Sequence, residues 1–179
     1  MTAGTATTAG FDGAALIRAL DEQREHRGLN WNELADALHG QSSELNDELG
    51  DHGLCQGALV RTARRGTMSC QYALILLRWL GRPPEDFLAG PAVDVGDTRL
   101  PDAGPDRRLR WDLPRLYAVL DEQRRERGLT WVALGQELGC SPGRLTNLRT
   151  ARLADMGLAM QVTQWVGRPA AGFVDSTRW

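Results

Sequence analysis

The sequence predicts an all-α chain: two tandem copies of one small unit of five short helices, joined by a Pro/Gly/Asp-rich linker. Two observations predict it, an internal repeat and a helical spacing of apolar residues punctuated by caps. Residues 111–139 repeat residues 11–39 at an offset of 100, with 13 of 29 positions identical. Leu20 to Trp31 reads LDEQREHRGLNW, and Leu120 to Trp131 reads LDEQRRERGLTW. Beyond Gly40 the offset falls to 86, and Gly57, Leu59, Trp79, Gly81, Arg82, Pro83 and Phe87 return as Gly143, Leu145, Trp165, Gly167, Arg168, Pro169 and Phe173. The difference, 100 − 86 = 14, is an insertion in the first copy near residues 41–54. Repetition on this scale means one structural unit used twice.

The copies occupy residues 11–89 and 107–179. Residues 90–106, GPAVDVGDTRLPDAGPD, have no helical period and read as a linker. Seventeen extended residues reach up to ~55 Å. Residues 1–10 carry neither charge nor an apolar block and read as a flexible start, not a signal peptide.

In the second copy Asp112 caps a first helix, with Pro114 in its first turn and Leu113, Leu116, Tyr117 and Leu120 on one face. Gly128 ends it. Thr130 caps a second helix that buries Leu134 and Leu138, and Gly139 ends that one. Ser141 and Pro142 form a two-part start for a third helix, with Leu145 and Leu148 inward. A fourth runs from about Ala154 to Val166, with Met160, Trp165 and Val166 facing the core, and Gly167 stops it. Pro169 to Phe173 make a fifth turn. The first copy reads alike: Asp12 starts helix one and Asn30 caps helix two. Helix three runs from about Cys55 to Arg65, helix four from about Ser69 to Leu80, and Pro84 to Phe87 close the unit. No convincing period-2 strand is legible in either copy.

The string LTWVALGQELGCSPGRLTNLR, Leu129 to Arg149, followed by a helix ending WVGRP and a terminal Phe, resembles the lambda-repressor-like (Cro/Xre) helix-turn-helix family. The resemblance covers residues 112–173, and 12–88 with an interruption. It implies two tandem helix-turn-helix domains whose third helices enter the major groove of double-stranded DNA. Gly135 stands where that family usually has Ala, and lets helices two and three approach closely. The resemblance puts Ser141, Pro142, Gly143 and Asn147 on base-facing positions, with Gln56 at such a place in the first copy. Arg144 reads a base or holds a phosphate, and Arg149 and Arg152 suit phosphates. Chemistry agrees: Arg pairs with guanine O6 and N7, Asn with adenine N6 and N7. The first copy's third helix carries Arg61, Arg64 and Arg65. Trp31 and Trp131 open helix two, where the family often has a phosphate-contacting residue. An indole N–H donating to phosphate and simple core packing are both open readings.

Charge divides the copies. Residues 107–175 hold 11 Arg and 7 acids, net +4, whereas residues 11–90 hold 8 Arg and 12 acids, net −4. The second copy is therefore expected to supply most of the DNA affinity. The insertion's Glu44, Asp47, Glu48 and Asp51 would meet phosphate repulsion unless the segment folds away. All 21 basic residues are Arg, which fits a GC-rich genome as well as phosphate binding.

Other signals are weaker. His39, His52, Cys55 and Cys70 have poor spacing for zinc, and no cofactor and no catalytic triad is expected. Asp21–Glu22 and Asp121–Glu122 lie beside Arg24 and Arg124 and read as solvated ion pairs. Three cysteines without a close pair point to a reducing cytoplasm, and no apolar run is long enough for a membrane span. The first copy's fourth helix, SCQYALILLRWLG, has Ile75 and Leu77 where the second has Gln161 and Thr163. A helix apolar nearly all round must be covered, either by a deeper core or by an interface with the other copy or a second chain. The function expected is that of a sequence-specific DNA-binding transcriptional regulator. The alternative is a protein–protein interaction module that keeps the fold and has lost DNA binding.

Overall fold

The computed structural model describes residues 9–51 and 56–178, without the side chain of Ala63. They are mostly helical, with small two-stranded sheets. In the first copy the order is β1 (Gly10–Phe11), α1 (Gly13–His26), α2 (Trp31–Gly40), α3 (Ser43–Leu49), α4 (Gln56–Arg65), α5 (Cys70–Leu80), a 3-10 turn (Pro84–Phe87) and β2 (Leu88–Ala89). In the second it is β3 (Arg108–Trp111), α6 (Leu113–Glu126), α7 (Trp131–Leu138), α8 (Pro142–Thr146), a 3-10 turn (Asn147–Arg149), α9 (Met156–Val166), a 3-10 turn (Ala170–Phe173) and β4 (Val174–Thr177).

Local chemistry sets the helix ends. The Asp12 and Asp112 carboxylates accept from Ala15 N and Arg115 N, each at 2.9 Å. Asn30 and Glu33 form a reciprocal capping box on α2, while Thr130 Oγ1 accepts from Ala133 N at 3.1 Å on α7. Gly139, at φ +65°, closes α7 in a conformation that costs other residues a Cβ clash. Ser141 precedes α8, but its hydroxyl makes no capping hydrogen bond. The third helix of this copy is also shorter than expected, since after Thr146 the chain tightens into a 3-10 turn that buries Leu148 beneath Asn147 and Arg149.

The expectation of no strands is corrected. β1 pairs antiparallel with β2, and β3 with β4 in the register Arg108–Thr177 through Trp111–Val174. Each copy thus closes its two ends against each other. Leu109 and Trp111 point inward and are buried, while Arg108 and Arg110 are half-buried on the other side. Ala9, 1% exposed, and Gly10 belong to this closure rather than to a loose start.

Buried side chains form one continuous cluster from Leu16 in the first copy to Val174 in the second. Its centre is the pair α5 and α9. β3 lies on α5, and β1 lies on α9. Backbone hydrogen bonds join the copies reciprocally: Cys70 N donates to Ala154 O at 2.7 Å, and Met156 N to Met68 O at 2.9 Å. The bridge is centred on Ser69 and Asp155. Both 154 − 68 and 156 − 70 equal 86, the repeat offset, so the contact is self-complementary about a local two-fold axis, as in an isologous dimer.

α5 is covered by α1 and α2 of its own copy and by β3 and α9 of the other. Leu77 is fully buried, and Ile75 is half-buried with its carbonyl accepting from Gln41 Nε2 at 3.0 Å. The segment 90–106 has no regular structure but is pinned at both ends. Val93 N donates to Gln164 Oε1 at 2.7 Å, and Leu45 N to Pro105 O at 3.2 Å.

The insertion does not stay a loop in the turn. It forms α3, buries Leu45 and Asn46, and reaches the second copy's sheet. Glu48 pairs with Arg178 at 2.7 Å, and Asp51 with Arg108. Two of its four acids are thereby neutralised by arginines of the second copy.

Candidate nucleic-acid interface

α7, the turn Gly139 to Ser141, and α8 form two helices joined by a short turn. Gly135 sets how closely they meet: an added Cβ would lie 2.6 Å from Cys140 O. No Cβ tolerates that distance to a backbone carbonyl, so this close approach requires glycine at position 135. Gly135→Ala is expected to cost ~1–3 kcal/mol through overpacking, less up to ~1 kcal/mol from Ala's better helix propensity. Urea denaturation measures the balance, and a net gain in stability would show that the turn yields freely.

Leu145 and Leu148 point into the core and fix the opposite side outward. Ser141, Gly143, Arg144, Asn147, Arg149 and Arg152 are all exposed, and Pro142 is half-buried against Gly135. In the first copy Gln56, Arg61, Arg64 and Arg65 are exposed on α4, which ends at Gly66 with φ +66°. Sequence reasoning missed two neighbours of this surface, Val132 at 59% and Leu153 at 61% exposure. Both flank residues already singled out, Trp131 and Arg152, and apolar groups there suit a thymine methyl.

Trp31 and Trp131 are half-buried and packed on the core. The Arg24 guanidinium lies over Trp31 at 4.7 Å, Arg124 over Trp131 at 4.5 Å, and Tyr117 stacks on Trp131 at 5.5 Å. The Asp–Arg pairs of helix one are not simply solvated. Arg24 and Arg124 contact Asp21 and Asp121 at 2.6 Å, are only 14% and 15% exposed, and also donate to the Leu29 and Leu129 carbonyls. They brace the end of helix one against the tryptophan that opens helix two.

The pairing of the arginines separates structural from free cations. Arg18, Arg24, Arg82, Arg99, Arg107, Arg108, Arg115, Arg124, Arg125 and Arg178 have carboxylate partners. Arg27 and Arg127 lie over Trp79 and Trp165 at 4.3 and 4.0 Å. Arg61, Arg64, Arg65, Arg144, Arg149 and Arg152 are exposed with no carboxylate partner among the described residues, a state shared by Arg168 at the end of α9. Both third helices therefore end in unneutralised positive charge. Their chain ends then run directly to the local two-fold axis, since Met68 follows Arg65 by three residues and Ala154 follows Arg152 by two.

Among the described residues no group of three or more His, Cys, Asp or Glu could hold a metal ion, and no helix is long and apolar enough to cross a membrane. His52 and Cys55 lie outside the described residues. No protein-family model, curated protein or solved structure matches the chain.

Proposed function

We propose that the chain is a sequence-specific DNA-binding regulator of the helix-turn-helix type, in which two fused copies act as an internal dimer. The observation that carries this reading is the set of six exposed, unpaired arginines on and just after the two third helices. Most of the other arginines are held by carboxylates, aromatic rings or carbonyls, whereas these six leave charge available for phosphate. The local two-fold axis adds geometry, because a two-fold protein reads a two-fold site, with half-sites about one helical turn apart. With net charge +4 over residues 107–175, the second copy supplies most of the affinity. Ser141 keeps an uncommitted hydroxyl beside Arg144 and Asn147. Free thiols at Cys70 and Cys140 fit a cytoplasmic setting. The net −4 of residues 11–90 favours a second reading, a protein-interaction module without DNA affinity.

One experiment separates the two. Selection from a randomised duplex pool at physiological salt should enrich a pseudo-palindromic sequence. Arg144→Ala and Asn147→Ala should each relax preference at one or two positions, by ~1–3 kcal/mol. Absence of any enriched sequence would favour the interaction module. Unchanged selectivity in both variants would remove α8 as the reading element.

A further inference from the structure

Between the copies lies a cavity of about 210 Å³ whose walls are unbalanced in charge. Its apolar side is Leu38, Leu74 and Ile75 of the first copy with Leu109 of the second. Its polar side carries three guanidinium groups, Arg78, Arg108 and Arg110, against one carboxylate, Asp51. Asp51 is engaged by Arg108, and the Arg78 Nη1 and Nη2 groups donate to neutral oxygens. Arg110 has no ion pair among the described residues, and its Nε is buried with no hydrogen-bond partner. Burial, with Arg108 and Arg152 nearby, pulls its proton affinity below the ordinary guanidinium value. Arg110 thus brings to the cavity wall a positive charge that no carboxylate of the described residues neutralises.

We propose that this cavity binds a small organic carboxylate whose apolar body is about the size of one six-membered ring. Size sets the body: an apolar cavity of about 150 Å³ takes up benzene, so this one holds such a body and a carboxylate beside it. Charge and geometry set the head group, because a planar carboxylate accepts from a guanidinium fork along two parallel N–H bonds. The aliphatic wall selects an organic anion over a bare inorganic one. Arg152, which follows the second copy's candidate reading segment, lies close enough to Arg110 for its charge to act on it. An effect of the ligand on DNA affinity rests on the DNA-binding reading. The site itself does not.

The test uses the full chain with ¹⁵N-labelled arginine, following the Arg110 Nε–H resonance during titration with benzoate, benzamide or inorganic phosphate. Benzoate should move that resonance saturably with Kd below roughly 1 mM, and the other two should bind at least about tenfold more weakly. Arg110→Met should weaken benzoate binding, followed by calorimetry, by about tenfold or more. Ile75→Phe, which fills the cavity and leaves the charges in place, should do the same. The site is refuted if benzoate gives no saturable shift, if the three probes bind alike, or if both variants bind benzoate as the wild type does. Should one variant unfold, the other and the probe comparison still decide. No DNA is present, so failure of the DNA-binding reading leaves this result standing. Unchanged DNA affinity at saturating benzoate would remove only the coupling.

Discussion

Arg78→Ala is expected to destabilise the chain by on the order of 3 kcal/mol and to lower its melting temperature by about 10 °C, taking 2–4 °C per kcal/mol for a chain of this size. Arg78 Nη1 donates to Ser42 Oγ at 2.9 Å and Arg107 O at 3.1 Å. Its Nη2 donates to Gln41 O at 2.6 Å, Ala103 O at 2.7 Å and Gly104 O at 3.0 Å. One cation therefore gathers the start of the insertion and the end of the linker. Burial pulls its proton affinity down, yet the carbonyls around it compensate the charge. Hydrogen bonds from a charged donor contribute about 1.5–3 kcal/mol each. Five acceptors share two nitrogens and the group is partly exposed, so the sum is far below five times that. Ser42 Oγ still donates to Arg107 O at 2.7 Å, which keeps one tie between the copies. Arg78→Gln, which installs the residue found at 164, should recover only part of the loss, having one amide nitrogen to give. A loss below about 1 kcal/mol in urea melts would mean that the carbonyls find water instead.

The triple change Arg144→Ala, Arg149→Ala and Arg152→Ala should lower DNA affinity by ~10²-fold or more and leave the melting temperature near wild type. None of the three has a carboxylate partner and all are exposed, so the fold loses little. DNA loses up to three phosphate contacts, each worth about 0.9 in the slope of log K against log salt. The slope should therefore fall by about 2 to 3. The matching triple on the first copy, Arg61→Ala, Arg64→Ala and Arg65→Ala, should cost less, because that copy is net negative. An unchanged salt slope in the first triple would contradict phosphate contact by the second copy. A larger loss from the α4 triple would reverse the division of labour.

Helix boundaries were legible because their causes are local. Asp112, Thr130 and Gly139 act within a few residues of themselves, and the capping bonds follow. The outward face of α8 was legible for the same reason, since Leu145 and Leu148 fix the inward one. What was not legible is non-local. β3 is four residues long, and its partner lies more than sixty residues away in sequence, so the alternation of RLRW carried too little signal alone. The cover of α5 was half legible: its excess of apolar side chains demanded burial, but nothing in one sequence says which surface provides it. Arg110 was missed because its role depends on that strand. Ser141, Gly143 and Asn147 lie exposed on that outward side, with Pro142 half-buried against Gly135.

The reciprocal bridge at Ser69 and Asp155 has a consequence for how such a protein can change. In a dimer of identical chains every substitution is made twice, once on each side of the axis, and a change that suits one half must be tolerated by the other. Here the two sides are encoded separately. Leu77 stands opposite Thr163, Arg78 opposite Gln164, and a 14-residue insertion exists on one side only. Each half is free to specialise while the contact about the axis keeps them in register. An asymmetric target, or a ligand held on one side of the axis, is then reachable by single steps that a symmetric dimer cannot take.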